Sequence, residues 1–228
     1  MSLATEIDEQ GFAVVEEVLL PMTVEALLRE VGSWQDSSAD RRGGLRNLLD
    51  FPSMRELANS DTLIGLVEPV LGPTATVVRG ILFDKTESTN WKVPWHQDVT
   101  IAVKERVEAE GFGPWSMKEG VLHVQPPSSV MEGMLSVRVH LDDCPIENGA
   151  LRVIPVSHKG GKIAVRDVEL LAAESAEHIC PVPAGGALIM RPLLFHASSA
   201  SSISGHRRVL HFDYANVTLP SGMNWHEA

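Results

Sequence analysis

The chain is organised around an eight-residue stretch, WKVPWHQD, which runs from Trp91 to Asp98. This stretch places an imidazole, His96, and a carboxylate, Asp98, two positions apart. On a β-strand the two side chains would point to the same face and start roughly 7 Å apart, because each residue advances the chain by about 3.3 Å. Two such groups can bind one small cation, so the stretch predicts half of a metal site.

The same His-x-Asp spacing occurs at two other places, His140/Asp142 and His211/Asp213. Spacing alone therefore does not select the metal site. The choice among the three pairs depends on what the rest of the chain supplies.

Length and composition restrict the class of protein. A chain of 228 residues suffices for one domain with a sizeable core, and we expect a single domain over 1–228. Hydrophobic residues make up 44% and charged residues 21%, which is typical of a globular protein, and no apolar run is long enough for a membrane span. A formal charge of −11 repels phosphate backbones, so we expect neither nucleic acid nor a membrane as partner.

The N-terminus and the cysteines indicate the compartment. Residues Met1 to Gln10 are acidic and lack the basic start and apolar stretch of a signal peptide, which favours a cytoplasmic protein. Cys144 and Cys180 show no CxxC spacing, and we expect two reduced thiols rather than a disulfide framework or a zinc ribbon.

The first third of the chain, about 1–73, is predicted to be mainly helical. A short apolar stretch, Gly11 to Val18, predicts a first strand, and a helix should follow Pro21 up to Gly32. The polar residues from Asp36 to Gly44 predict a loop that could form a flap over a site. A second helix should run from about Asp61 to Leu71, where Gly and Pro follow.

The remainder, about 74–219, is predicted to be a β core. Short strand-like runs alternate there with Gly and Pro, which indicates a barrel or two-sheet jelly roll with helices packed outside. The predicted fold class is therefore mainly β with flanking helices. The strand-like runs are Thr76 to Phe83, Val121 to Gln125, Leu135 to Leu141, Leu151 to Ile154, Ala187 to Met190 and Arg207 to Tyr214.

A third metal ligand should come from a distant strand, because the first and last strands of a jelly-roll core lie side by side. His196 qualifies, since it follows a turn-like Arg-Pro pair and precedes a Ser-rich loop. Two imidazoles and one carboxylate leave positions open on a metal, as in non-haem Fe(II) oxygenases, whereas structural zinc sites fill all four positions. The open positions could take a bidentate 2-oxo acid and O₂, and Arg207 could hold the far carboxylate of that acid.

These residues resemble the phytanoyl-CoA dioxygenase-like family of Fe(II)/2-oxoglutarate oxygenases nearly end to end. The start Glu9 to Val15 (EQGFAVV) is similar to the usual family start, and Trp95 to Asp98 matches the metal motif. The segment Glu147 to His158 (ENGALRVIPVSH) is similar to the signature loop and strand. His196 to Ser198, followed by Arg207, matches the distal histidine and the oxoglutarate arginine with the family's spacing.

The resemblance implies a double-stranded β-helix, a cupin-like jelly roll. It also implies that His96, Asp98 and His196 bind Fe(II), that Arg207 binds the C5 carboxylate of 2-oxoglutarate, and that Ser198 binds a carboxylate oxygen of the same molecule. Lys85 lies where members often have a lysine. The chain departs from some relatives at Arg138, where they carry a tryptophan.

The resemblance assigns the two rival pairs to other roles. Asp142 then lies at a strand end before a turn, where a structural role suffices. His211 and Asp213 would share the face of Arg207 by strand alternation and line the barrel interior without touching iron.

Four polar residues alternate on two strands and are expected to face inward: His123 and Gln125 on one, Arg138 and His140 on the other. They would either line a cosubstrate and substrate pocket or form a hydrogen-bonded core. Gln125 and Arg138 are the best additional candidates for cosubstrate binding. His158 belongs to the signature loop and is expected to be structural.

We therefore predict a dioxygenase that uses Fe(II), 2-oxoglutarate and O₂ to hydroxylate a small or mid-sized organic molecule, with release of succinate and CO₂. Halogenation is disfavoured because Asp98 fills the position that a halide would need. Desaturation, epoxidation and ring formation remain open, and so do a catalytically silent cupin-like binding protein and a zinc hydrolase, which would leave Arg207 without a purpose. The sequence does not indicate the substrate or the oligomeric state, although Arg41, Arg42 and Arg46 form a basic cluster that could bind an anion.

Overall fold

The structure is a computed structural model that describes residues 1–35, 44–87 and 89–228. The predicted flap, with Arg41 and Arg42, lies outside the described residues except for Gly44. In the described part of the chain the helices are α1 (Leu3–Gln10), α2 (Pro21–Gln35), α3 (Pro52–Ala58), α4 (Asp61–Leu71), α5 (Ser128–Glu132) and α6 (Val168–Glu174). The strands are β1 (Phe12–Val15), β2 (Thr76–Lys85), β3 (Val93–His96), β4 (Ile101–Val103), β5 (Trp115–Lys118), β6 (Val121–Val124), β7 (Met134–His140), β8 (Leu151–Val153), β9 (His178–Cys180), β10 (Ala187–Met190), β11 (His196–Ser198) and β12 (Arg207–Ala215).

The strands form three antiparallel sheets. A five-stranded sheet has the order β1-β10-β7-β12-β2, a four-stranded sheet has the order β3-β11-β8-β9, and a three-stranded sheet has the order β4-β6-β5. The non-consecutive neighbours mean that the chain crosses repeatedly between the first two sheets, which gives a double-stranded β-helix. The predicted fold class, mainly β with flanking helices, is confirmed.

Strand β12 shows how the sequence separates the two faces of the five-stranded sheet. Its odd-numbered positions carry Arg207, His211 and Asp213, whereas its even-numbered positions from 210 carry Leu, Phe and Tyr. Leu210 and Phe212 pack with residues of helices α1 to α4 in the largest apolar cluster of the protein. Because side chains alternate along a strand, the polar positions point to the opposite face, towards the four-stranded sheet.

The predicted strands and helices of the chain were largely found. The helix after Pro21 extends to Gln35, and α4 has the predicted bounds. The first strand is only four residues long and pairs with β10 in the main sheet, so the N-terminal third of the chain also contributes to the β core. The helices α1 and α3 were not predicted; α1 begins after a Ser2 N-cap, whose side chain accepts a hydrogen bond from the Thr5 N–H.

Two further predictions concern the membrane and the thiols. Among the described residues no helix has the length and apolar character needed to cross a bilayer. Cys144 and Cys180 form no disulfide, as predicted, and both are buried.

Candidate metal centre

The pairing of β3 with β11 brings the two predicted histidine ligands together. His96 and His196 are direct partners in the antiparallel register, and their ring centroids are 4.2 Å apart. The two residues are a hundred positions apart in sequence, and only the crossing of the chain between the sheets makes them neighbours. The expected adjacency of distant strands is thus found at this position.

Asp98 reaches the same point by a different route from the one predicted. Strand β3 ends at His96, so Asp98 does not share a strand face with it; its backbone N–H donates instead to the Pro192 carbonyl at 3.0 Å. With its backbone held in this way, Asp98 has its Oδ2 atom 3.9 Å from His196 Nε2. One ligand atom from each of the three residues lies within 4.8 Å of the others.

Both imidazoles are oriented by their own backbone. His96 Nδ1 lies 2.9 Å from the Pro94 carbonyl oxygen, and His196 Nδ1 lies 2.8 Å from the Leu194 carbonyl oxygen. A carbonyl only accepts, so each Nδ1 carries the proton and each Nε2 keeps its lone pair. Two neutral imidazole nitrogens and one carboxylate form a donor set that fits a divalent first-row metal ion.

The electrostatics of His196 and Asp98 favour this protonation state. Burial, and then the neighbouring His96, lower the pKa of His196, so that it is neutral near pH 7. Desolvation alone would raise the pKa of Asp98, but the attraction between its carboxylate and the protonated forms of His196, His96 and His211, together with Arg79, outweighs it and lowers the pKa. An ionised carboxylate beside two neutral imidazoles is the form that metal binding requires.

These residues lie in a cleft between the five-stranded and the four-stranded sheet. The cleft encloses about 730 Å³ of empty space, its open mouth included. Besides the three residues above, it is lined by Lys85, Arg138, Ser198, Arg207 and His211. Trp91 also lines this cleft, whereas Trp95 stacks on Phe195 at 5.3 Å and Trp115 packs with a separate apolar cluster.

Arg207 begins β12 and is held by the loop that the signature sequence forms. Its Nη1 donates to the Gly149 carbonyl oxygen. Gly149 has φ 68°, and a Cβ there would lie 2.5 Å from the Ser199 carbonyl oxygen and 3.3 Å from Arg207 Nη1. Glycine is therefore required, both for the left-handed backbone and for the close approach of the loop.

Lys85 and Ser198 lie next to each other at the same end of the cleft. Lys85 is the register partner of Arg207, and its Nζ donates to Ser198 Oγ at 3.0 Å and to the Ser199 carbonyl oxygen at 3.1 Å. Burial, and then Arg207, lower the pKa of Lys85 to about 7. Two buried cations and a hydroxyl thus converge at one point, which suits a carboxylate ligand.

A second polar network lies further along the same face. Arg138 Nη1 donates to His211 Nδ1 at 2.9 Å, and His211 Nε2 donates to Asp213 Oδ1 at 2.9 Å. Asp213 also accepts a hydrogen bond from Ser136 Oγ at 2.6 Å and pairs with Arg79 at 3.3 Å. His211 and Asp213 are bonded to each other, in keeping with the expectation that they line the interior without forming the metal site.

Other candidates are placed elsewhere. His123 lies on β6 in the three-stranded sheet, and Gln125, which follows β6, is not among the residues that line the cleft. The prediction that these two face inward with Arg138 has no support, because β6 belongs to the three-stranded sheet and β7, which carries Arg138, to the five-stranded sheet. His140 is buried outside the cleft lining, and Asp142 forms a two-pronged ion pair with Arg208.

His158 and Arg46 have partners away from the site. His158 Nε2 lies 3.2 Å from the Asp8 carbonyl oxygen, which fits the expected structural role of the signature loop. Arg46 pairs with Glu119 at 3.1 Å.

Sequence reasoning missed two residues that contribute to the site. Arg79 lines the cleft, and it shares its strand face with Lys85 by alternation along β2, which could have found it. Gln97 was treated only as the spacer in His-x-Asp. Its amide donates to the carbonyl oxygens of Gly161 and Leu193, and its Oε1 accepts from the Ile163 N–H.

A double-stranded β-helix with two imidazoles and one carboxylate converging between its sheets defines the class of non-haem iron oxygenases. Residues 7–209 match the phytanoyl-CoA dioxygenase (PhyH) family, and the chain belongs to this family. It is therefore an oxidoreductase that depends on Fe(II) and 2-oxoglutarate and uses O₂, as the sequence predicted.

Relatives and solved structures agree with this membership. The L-proline trans-4-hydroxylase of Streptomyces griseoviridis is 27% identical over 216 residues, which cover 83% of this chain and 72% of that protein. The 2-oxoglutarate-dependent carbocyclase SnoK from nogalamycin biosynthesis superposes with a TM-score of 0.74 at 16% identity, covering 94% of this chain and 83% of SnoK. HygX from Streptomyces hygroscopicus, solved with nickel and 2-oxoglutarate, superposes with a TM-score of 0.66 at 19% identity, covering 93% and 85%. The two structural similarities establish the fold.

Proposed function

We propose that His96, Asp98 and His196 bind the Fe(II) of this enzyme. Its cosubstrate 2-oxoglutarate is proposed to bind through its C5 carboxylate to Arg207, Ser198 and Lys85. The proposed reaction is hydroxylation of a small or mid-sized organic molecule. The observation that carries the proposal is that the three ligand atoms, within 4.8 Å of one another, share one cleft with Arg207 and Ser198.

The reaction balances as R–H, 2-oxoglutarate and O₂ going to R–OH, succinate and CO₂. When bound, the iron supplies the oxidising chemistry that couples the decarboxylation to the hydroxylation. The chain's own residues bind and orient. The hydrogen bond to the Gly149 carbonyl oxygen holds the Arg207 guanidinium in position before the cosubstrate binds. The hydrogen bond between Lys85 and Ser198 does the same for these two side chains. Such fixed donors align the cosubstrate at little entropic cost on binding.

The size of the cleft limits the substrate. The cleft must hold 2-oxoglutarate as well as the reacting part of the substrate, which favours a small or mid-sized molecule. The name of the Streptomyces griseoviridis relative makes free L-proline, and other amino acids, the first compounds to test.

The test is a turnover assay with Fe(II), 2-oxoglutarate and O₂, in which succinate and an oxygenated product are measured against a panel of small molecules. The expected result is that at least one compound increases succinate formation and gains one oxygen atom. A protein that binds 2-oxoglutarate but never forms succinate would instead be the catalytically silent binding protein. His96→Ala is the inactive control.

A further inference from the structure

We propose that Arg138 is a second carboxylate-binding residue in the cleft and that the substrate of this enzyme carries a carboxylate. The inference rests on the proposed function and names the substrate class of the same site. It begins with the charges that line the cleft.

The cleft has more cationic side chains than the proposed binding of Fe(II) and 2-oxoglutarate would neutralise. Among its described lining residues Asp98 is the one carboxylate, whereas Arg138 and Arg207 carry positive charge and Lys85, with its pKa of about 7, carries it in part. Arg79 also lines the cleft, but its guanidinium is paired with Asp213. Fe(II) and the two carboxylates of 2-oxoglutarate would cancel each other, so their binding leaves the excess of positive charge in place.

Arg138 is the cation that the proposed binding of Fe(II) and 2-oxoglutarate does not use. Arg207, Lys85 and Ser198 converge on one carboxylate, and the other carboxylate of 2-oxoglutarate would bind the metal. Arg138 lies opposite His211 in the register, four strand positions along β12 from Arg207. Both ends of the cosubstrate thus have partners without Arg138.

The side chain of Arg138 is built to bind an anion. One face of its guanidinium lies over the Phe83 ring, with Cζ 5.5 Å from the ring centroid, and Nη1 is fixed by His211. Its Nε is buried without a hydrogen-bond partner among the described residues, as are the Nε atoms of Arg79, Arg152 and Arg207. A buried donor without a partner is unfavourable, and a carboxylate would satisfy it through a forked hydrogen bond.

The network behind Arg138 supports this orientation. His211 accepts from Arg138 at Nδ1 because its Nε2 proton is committed to Asp213, which Ser136 and Arg79 hold in turn. No ion pair of Arg138 itself is found among the described residues. The cation is therefore half-buried, oriented and without an ion pair in the described part of the chain, which is the arrangement expected for recognition of an anionic ligand.

The test compares the wild type with Arg138→Gln, Arg138→Lys and Arg152→Gln. Arg152 is a matched control, because it also lies on a strand and over an aromatic ring, with Cζ 5.2 Å from the Trp95 centroid, but pairs with Glu177 outside the cleft. The probes are small carboxylic acids, including amino acids, and the methyl ester of each. Succinate formation is measured in steady state, and 2-oxoglutarate affinity is measured separately by anaerobic titration of the Fe(II) protein.

The expected result is that acids, but not their esters, stimulate succinate formation in the wild type. Arg138→Gln should raise the KM for the acid at least about tenfold and leave the affinity for 2-oxoglutarate within about threefold of the wild type. Arg138→Lys should recover part of the loss, and Arg152→Gln should behave as the wild type. A KM effect with unchanged 2-oxoglutarate affinity is not expected of a merely structural residue.

Three results would overturn the inference. If esters or neutral compounds stimulate as well as acids, or no acid stimulates a wild type that binds 2-oxoglutarate, the substrate has no carboxylate to bind. If Arg138→Gln weakens 2-oxoglutarate instead, Arg138 serves the cosubstrate. Failure of the wild type to bind 2-oxoglutarate would instead refute the proposed function itself.

Discussion

The side-chain Oε1 of Gln97 accepts a hydrogen bond from the backbone N–H of Ile163 at 2.7 Å, so a residue between two proposed metal ligands holds a loop 66 positions away in sequence. The amide of Gln97 also donates to Gly161 and Leu193, which ties the loop to the strand that carries His196. The spacer of the His-x-Asp motif therefore fixes the segment between His96 and Asp98 against two neighbouring loops.

Gln97→Ala is predicted to lower the free energy of unfolding by about 1–3 kcal/mol, because it removes three part-buried hydrogen bonds and leaves the loop groups without partners. Urea unfolding of the metal-free protein measures this change. Gln125→Ala is the control, since Gln125 has no side-chain hydrogen bond within the described part of the chain, and it should change stability by less than about 0.5 kcal/mol. Equal effects of the two substitutions would contradict the role of Gln97.

Gly149→Ala is predicted to weaken 2-oxoglutarate binding at least about tenfold while leaving Fe(II) binding intact. The added Cβ would lie 2.5 Å from the Ser199 carbonyl oxygen and force a shift of the loop whose carbonyl orients Arg207. Gly160→Ala is the control, because nothing lies within 4 Å of a Cβ at that position. Titration of each Fe(II)-loaded variant with 2-oxoglutarate gives the comparison, and an unchanged affinity in Gly149→Ala would count against the assignment of Arg207.

Lys85→Met is predicted to make the metal-free protein more stable than the wild type at pH 6–7. Burial, and then Arg207, lower the pKa of Lys85 to about 7 in the folded protein, whereas an unfolded lysine titrates near 10.4. Below pH 7 folding must bury a charged ammonium, and this penalty falls as the pH rises from about 7 to 10. The advantage of Lys85→Met over the wild type should therefore shrink across that range.

Urea unfolding at pH 6, 7, 8 and 9 measures the difference in stability between Lys85→Met and the wild type. The exposed Lys92→Met is the control and should track the wild type at every pH. A stability difference between Lys85→Met and the wild type that is independent of pH would show that Lys85 does not titrate in this range.

Asp213→Asn is predicted to destabilise the protein at pH 7 by about 3 kcal/mol, because it leaves the half-buried Arg79 without its anion. Burial alone would raise the pKa of Asp213, but His211, Arg79 and the Ser136 hydroxyl outweigh it and hold the pKa well below its usual value. A carboxylate with a lowered pKa contributes stability above pH 4 that is lost as the pH falls towards the folded-state value. The difference between Asp213→Asn and the wild type should thus be greatest above pH 4 and diminish below it.

Denaturant unfolding at pH 7, 5 and 3 tests this dependence. Glu108→Gln is a suitable control, because Glu108 is exposed and its ion pair with Arg106 should contribute little. A difference that grows as the pH falls would contradict the sign of the pKa shift.

The sequence predicted the strands of the main sheet well because their patterns are local. In β12 the alternation of Arg207, His211 and Asp213 with apolar residues is visible without any tertiary contact. The short strands β3 and β11 are three or four residues long and carry no comparable pattern. Their pairing, which brings His96 to His196, depends on long-range crossovers, and it was anticipated only through the jelly-roll topology.

The interior of the site was less predictable. Gln125 and Arg138 looked equivalent in the sequence, since each alternates with a histidine on an apolar strand. The structure assigns their strands to different sheets, and only Arg138 lines the cleft. The role of Gln97 was also hidden, because its partners lie in loops whose positions no periodicity encodes.

The central claim is that His96, Asp98, His196 and Arg207 form one site for Fe(II) and 2-oxoglutarate. The most direct measurement is an anaerobic titration of metal-free protein with Fe(II) and then with 2-oxoglutarate, which follows the visible charge-transfer band between them. We predict a band in the wild type. The band should be lost in His96→Ala, because this variant does not bind Fe(II), and in Arg207→Ala, because this variant does not bind 2-oxoglutarate. No band in the wild type, or a band that survives in His96→Ala, would contradict the account.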